Sequence, residues 1–356
     1  MIALAKNKGY QYIDDRKSFD GLKVGSAVEL PLLGLIANTD VPYEVDRQHE
    51  DGIYPSLAEM AETALKALSA ATKDSDKGFF IMIEGSRIDH AGHANDPLAQ
   101  VHEVLAYDKA VATVLEFLEK DSVPGVMVST SDHETGGLAA ARQLHAAYPD
   151  YLWYPGVLAN GSQSAERLAH NYHENLLDKP KSDQKSFVTS QLEEALGIYD
   201  YSDDEVKLLL EQPDIAAYMF ADIVSRRAQT GWSTHGHSGK SCFTQCSSLM
   251  LILFPAADVN IYASSAKAAK DLVGNHENTE VGDFLRNYLD VDVDAITKEL
   301  KQKGTQFDTK GADGKTVSWM GKVPATEERL DGQDHLEHYA GDHKRHKRHV
   351  GCDCGL

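Results

Sequence analysis

The amino-acid sequence predicts an α/β fold, a mostly parallel central sheet flanked by helices. Three observations carry that prediction. Two continuous apolar runs, Phe79 to Ile83 and Val126 to Thr130, read as strands buried on both faces. The segment between them has helical periodicity, so strand, loop, helix and strand follow in order. Each run also stops at a polar cluster, Glu84 with Gly85 after the first and Asp132, His133 and Glu134 after the second. In open α/β sheets, ligands bind beyond the carboxyl ends of the strands, where both clusters fall.

The elements follow in chain order. The apolar run 28–37 reads as a buried strand. Ser56 and Glu59 form a capping box behind Pro55, opening an Ala-rich helix that runs to about Ala70. The polar stretch from Thr72 to Gly78 is a loop. Asp96 and Pro97 are an N-cap and first-turn pair. The helix they open places Val101, Val104, Leu105, Val111, Val114, Leu115 and Leu118 on one face, expected to be buried. Pro124 and Gly125 end it. Residues 150–230 are mostly helical in pattern, with polar loops around Lys179 to Gln184. A strand near Val259 to Tyr262 follows, then helices after Ser264, near Val281 to Leu289 and near Ala295 to Lys301.

Composition limits the partners. A formal net charge of -20 argues against nucleic acid, whose phosphates demand an excess of Lys and Arg. It also repels anionic substrates, so a site for a phosphate ester needs local positive charge, most simply from metal ions. No apolar run is long enough to span a membrane, and the first residues lack a secretory signature. Cys242, Cys246, Cys352 and Cys354 stand outside the body of the chain, so a disulfide framework is not expected. The cluster HKRHKRH (343–349) lies in a tail from about 331 to 356 that reads as a solvated charge run.

Three clusters carry chemistry. Asp89 and His93 are spaced i, i+4, which on a helix puts both side chains on one face, able to grip a single ion. Asp132 and His133 pair a carboxylate with an imidazole at a strand end. His235 and His237 sit in the Gly-rich segment 234–239 (THGHSG). Neutral imidazole with carboxylate suits zinc, whereas magnesium wants oxygen ligands, so Glu84 fits it better than the imidazoles do. An isolated Asp–His pair is ordinarily surface chemistry or a helix cap; three clusters beside expected strand ends are not so easily dismissed.

These motifs resemble the alkaline phosphatase family, in its fungal, vacuolar-type form. FFIMIEGSRIDHAGHAND (79–96) looks like the family's metal-binding signature, and VMVSTSDHETGG (126–137) like its second-zinc signature. THGHSG resembles the third metal segment, and Asp258 to Tyr262 the strand after it. The resemblance covers most of residues 20–300 and implies two zinc ions and one magnesium ion. By it, Asp89, His93 and His237 match ligands of the first zinc, Asp132 and His133 of the second, and Glu84 of magnesium. His235 is then a neighbour, and His90 a variable position near the phosphate that influences the magnesium site or specificity. The implied reaction is hydrolysis of small phosphate monoesters through a phosphoserine. The implied setting is the vacuole, by a homodimer in analogy with the family.

Two departures qualify the resemblance. The family's Asp-Ser-Ala nucleophile motif, a bridging aspartate, a magnesium-binding Thr or Ser and a phosphate-gripping Arg have no counterpart; Ser26, Ser75 and Ser122 each lack part of the nucleophile pattern. The expected domain, residues 1–330, is thus the C-terminal portion of the family fold, truncated at its N-terminus and lacking the catalytic serine. Secondly, residues 239–256 (GKSCFTQCSSLMLILFPA) interrupt the run from His237 to Asp258 and read as a retained intron, with a true loop insertion as the alternative. Turnover by this chain alone is not expected. The competing readings are an inactive zinc-binding fragment and another phosphotransferase of the same superfamily.

Overall fold

Helix starts written in the sequence set the architecture. The structure is a computed structural model that describes residues 1–120, 125–148, 151–237 and 258–302, with two short strands at 309–310 and 316–317. At Ser56, the hydroxyl accepts from the Glu59 amide (3.2 Å) while the Glu59 carboxylate accepts from the Ser56 amide (2.8 Å). This reciprocal box opens the helix Leu57–Thr72. Asp96 opens Pro97–Lys120 by accepting from the amides of Leu98 (3.0 Å) and Ala99 (3.1 Å).

The described residues fall into two units, one within Met1–Thr113 and Thr135–Ser238, the other within Val114–Glu134 and Gly239–Gln333. The core of the first is helical. Ala165–Leu176 and Ala216–Ala228 pack together, with Lys181–Ser190 and Asp203–Glu211 beside them, around Leu168, Tyr172, Leu192, Leu209 and Phe220. Ala91 and Leu98 belong to the same core, which anchors the short helix Arg87–His93. Expected polar loops at Lys179 to Gln184 are in part helix: Lys181–Ser190 starts directly after Pro180, whose fixed φ suits a helix entrance. In the second unit, Val128 and Ile261 pack on Ala269, Leu272 and Phe284. The helices Asn278–Tyr288 and Val293–Gln302 lie close to their expected positions. After Ser264, however, the helical element is a single 3₁₀ turn, Lys270–Leu272.

The sheet is smaller than the sequence suggests. Among the described residues there are four two-stranded pairings. Gln11–Ile13 pairs with Leu32–Gly34 in parallel, so the expected strand at 28–37 survives as three residues. Val128–Thr130 and Ile261–Ala263, both expected as strands, pair with each other, but antiparallel. The run Phe79 to Ile83 is not a strand here: Phe80 and Met82 are 52% and 78% exposed. A run buried on both faces needs strand neighbours and covering layers, and none of the described strands supplies them.

The long helix Pro97–Lys120 corrects another expectation. Its buried side is Leu98, Ala99, Glu103, Ala106 and Ala110, whereas Val101, Val104 and Leu105 are exposed. Alanines at this spacing let the helix approach its neighbours closely, and close packing decides the face where bulk alone does not. No helix of the described residues is long and apolar enough to cross a membrane. The segment 239–256 and the tail 331–356 lie outside the described residues.

Glu103 points into the protein and accepts from the Glu44 amide at 2.5 Å. Burial pushes its carboxyl up to about 7 from 4.5, against the opposing charges of Arg87 and Arg47. A carboxyl with a raised native pKa binds its proton more tightly when folded. Its stabilising contribution is therefore complete below the unfolded value and is lost as pH rises through the folded one. Glu103→Gln keeps an acceptor for the Glu44 amide and removes the titration. In urea unfolding, wild type should lose on the order of 2 kcal/mol relative to this variant between pH 4.5 and 8. Parallel pH profiles would contradict the assignment.

Candidate metal centre

Asp89 and His93 lie on the seven-residue helix Arg87–His93, one turn apart. Their spacing brings His93 Nε2 to 3.3 Å from Asp89 Oδ1. The third member arrives from the loop after Thr230–Gly231: His237 Nε2 stands 3.9 Å from the same carboxylate oxygen. The two imidazole rings are 5.3 Å apart at 42°. One ligand atom from each of Asp89, His93 and His237 lies within 4.8 Å of the others.

Three sets of contacts hold the loop against the helix. Asn95, in the left-handed region at φ 53°, donates through Nδ2 to the carbonyls of Gly92 (3.1 Å) and Thr234 (2.9 Å). His93 donates through Nδ1 to the His235 carbonyl, and His235 donates through Nδ1 to the His93 carbonyl at 2.8 Å. A carbonyl only accepts, so His93 carries a proton on Nδ1, and Nε2 is the ring atom turned toward Asp89. Thirdly, the Gly136 amide donates to the Gly236 carbonyl at 2.8 Å. Thr135 Oγ1, one residue earlier, donates to Asp89 Oδ1 at 2.5 Å and fixes that carboxylate.

Behind the helix, Arg87 is buried over the Tyr43 ring, 3.7 Å from guanidinium carbon to centroid. It pairs with the Glu166 carboxylate at 3.0 Å. Burial raises the Glu166 carboxyl even though Arg87 opposes the shift. Arg87 also donates to His90 Nδ1 at 3.1 Å, since a guanidinium has no acceptor. His90 is thereby fixed on the Arg87 side of the helix.

The other expected ligands are not members of this three-residue group. Glu84 is exposed just after the Phe79 to Ile83 segment and is not part of the three-residue group. Asp132 and His133 belong to the second unit, where Asp132 Oδ2 and His133 Nε2 are 3.3 Å apart and the Asp132 side chain is exposed. Thr135 escaped the sequence reading because a hydroxyl that orients a carboxylate has no spacing signature of its own. Its place directly after Asp132, His133 and Glu134 was the available clue.

The donor set fits zinc. Tetrahedral zinc with ligand bonds of about 2 Å separates its donors by roughly 3.3 Å, close to the spacings around Asp89 Oδ1. Imidazole nitrogen is the kind of donor that suits zinc, and a carboxylate oxygen commonly completes such a set. Two of the three partners have a supporting hydrogen bond of their own: Thr135 on Asp89 and the His235 carbonyl on His93.

Comparison with known proteins adds four findings. The family model for alkaline phosphatase matches residues 1–291. The repressible alkaline phosphatase of Saccharomyces cerevisiae is 46% identical over 318 residues, covering 85% of this chain and 53% of the yeast protein. An alkaline phosphatase of Schizosaccharomyces pombe is 39% identical over 303 residues, covering 83% of this chain and 51% of its own length. The chain spans about half the length of the curated relatives it matches. The crystal structure of a cold-active alkaline phosphatase from a Shewanella species is similar at a TM-score of 0.61 and 24% identity, over 81% of this chain and 61% of the other. That likeness establishes the fold as α/β of the alkaline phosphatase kind.

Gly136 makes the close approach possible. Its φ is +87°, and a Cβ there would stand 2.7 Å from the Trp232 ring and 2.8 Å from the Gly92 carbonyl. Gly136→Ala should lower the urea midpoint by the equivalent of about 1–3 kcal/mol, from backbone strain alone. An unchanged midpoint would show that the segment relaxes without cost.

Proposed function

The chain belongs to the alkaline phosphatase family, and we propose that it carries the metal-binding part of a phosphomonoesterase, with Asp89, His93 and His237 holding one zinc ion. The observation that supports this most is the convergence of those three residues from two separate segments onto one carboxylate oxygen. When bound, zinc supplies Lewis-acid charge to a phosphoryl oxygen and lowers the pKa of an attacking oxygen.

The chain's own residues prepare that site. Thr135 directs the Asp89 carboxylate, and the proton on His93 Nδ1 leaves Nε2 as the donor. Arg87 and Glu166 brace the helix that presents both. A phosphate monoester approaching a protein of net charge -20 needs a concentrated positive centre, which the cation provides. By family resemblance we assign Asp132 and His133 to a second zinc and Glu84 to magnesium. The same resemblance carries the phosphoserine route, the vacuolar setting and the homodimer as parts of this proposal. These 356 residues contain no Asp-Ser-Ala segment, so the chain by itself is proposed to bind metal without efficient turnover.

Calorimetric zinc titration of the metal-stripped full chain tests this, with an aryl phosphate assay beside it. Asp89→Asn and His93→Ala should each weaken the tightest site by at least about 100-fold, more than loss of an outer-shell partner. Phosphate release should stay near background. Zinc affinity unchanged in both variants would overturn the ligand assignment, and robust zinc-dependent hydrolysis would overturn the claim about turnover.

A further inference from the structure

We propose that His235 is a positioning residue for this metal centre, acting through the reciprocal pair of hydrogen bonds that joins it to His93. The inference rests on the zinc reading above and assigns His235 a specific task within it. Its backbone carbonyl accepts the His93 Nδ1 proton, while its own Nδ1 donates to the His93 carbonyl at 2.8 Å. The two bonds form a clasp between the last residue of the helix and the loop. One bond sets the His93 tautomer; the other holds in place the carbonyl that sets it. Because His237 is only two residues further on, the same clasp fixes where its imidazole enters.

The side chain of His235 does this without being a ligand. Its Nδ1 is engaged with the His93 carbonyl, and its ring lies against Tyr218, with centroids 4.4 Å apart. The atoms of the three-residue ligand group come from Asp89, His93 and His237 alone. Two features of His235 could matter: the Nδ1 proton, or the ring that packs on Tyr218. Asn separates them. Its Nδ2 stands as many bonds from the backbone as His Nδ1 does, so Asn keeps the donor and discards the ring. Gln carries its amide one bond too far.

The test is a competition titration of zinc against a chromophoric chelator on the metal-stripped full chain, repeated with cobalt(II) to read the visible spectrum of a four-coordinate site. His235→Ala should weaken zinc by about 10-fold to 100-fold, the range for loss of an outer-shell partner, and flatten the cobalt bands. His235→Asn should restore affinity to within about 3-fold and recover the bands, while His235→Gln should behave like Ala. An Ala variant that binds as wild type, while His93→Ala does not, would overturn the positioning role and leave the zinc site standing. An Asn variant as weak as Ala would show that the ring matters and would overturn the clasp. A wild-type chain that binds no zinc, or one indifferent to His93→Ala, would instead defeat the zinc reading itself.

Discussion

A single buried carboxylate, Asp96, fastens the metal-bearing helix to the rest of its unit. It is 1% exposed, yet it accepts three backbone N–H bonds. Two come from the first turn of Pro97–Lys120, and the third, at 2.8 Å, comes from Ala165 at the start of Ala165–Leu176. Its own amide donates to the Ala91 carbonyl inside Arg87–His93. One residue therefore closes one helix and opens two others. Helix N-termini carry partial positive charge, which is why an acid can be buried there. Burial still dominates, lifting its carboxyl to about 6 from 3.8. Asp46 repeats the device by accepting from the Ser164 amide at 3.0 Å. With the bridge from Arg87 to Glu166, these contacts fix the direction in which Asp89 and His93 point.

Much of this was readable from the sequence, and for identifiable reasons. Caps are local, so Ser56 with Glu59 and Asp96 with Pro97 were recognisable from neighbours three residues apart or fewer. The pairing of Asp89 with His93 depends only on helical spacing. The arrival of His237 beside them depends on a loop 144 positions further along the chain than His93, which no periodicity encodes; it came from resemblance to the alkaline phosphatase motifs. Packing was the least legible. The apolar pattern of Pro97–Lys120 marked Val101, Val104 and Leu105 as buried, while the structure turns Ala99, Ala106 and Ala110 inward. Hydrophobic patterning measures bulk, and close helix contact selects small residues. Strand direction was equally hidden: Val128–Thr130 and Ile261–Ala263 were both foreseen, but their antiparallel pairing is a tertiary choice.

Charge links the fold to the proposed chemistry. The protein is acidic overall, and the first unit buries Asp46, Asp96 and Glu103 against amides and the guanidinium groups of Arg47 and Arg87. Those arginines are already committed: Arg47 is bonded to Glu44 and Arg87 to Glu166. They brace the structure instead of waiting for a substrate. A cation bound between Asp89, His93 and His237 would place positive charge where the acidic background otherwise repels a phosphate. The same acidity raises the affinity of the cluster for a cation, so a surface unfavourable to the substrate alone is favourable to the metal that attracts it.

The most direct test of the account is a crystal structure of the full chain grown with zinc, with anomalous difference density recorded on both sides of the zinc absorption edge. A strong zinc peak is expected within bonding distance of Asp89 Oδ1, His93 Nε2 and His237 Nε2. Density that places zinc only on other residues, with these three side chains carrying none, would contradict it.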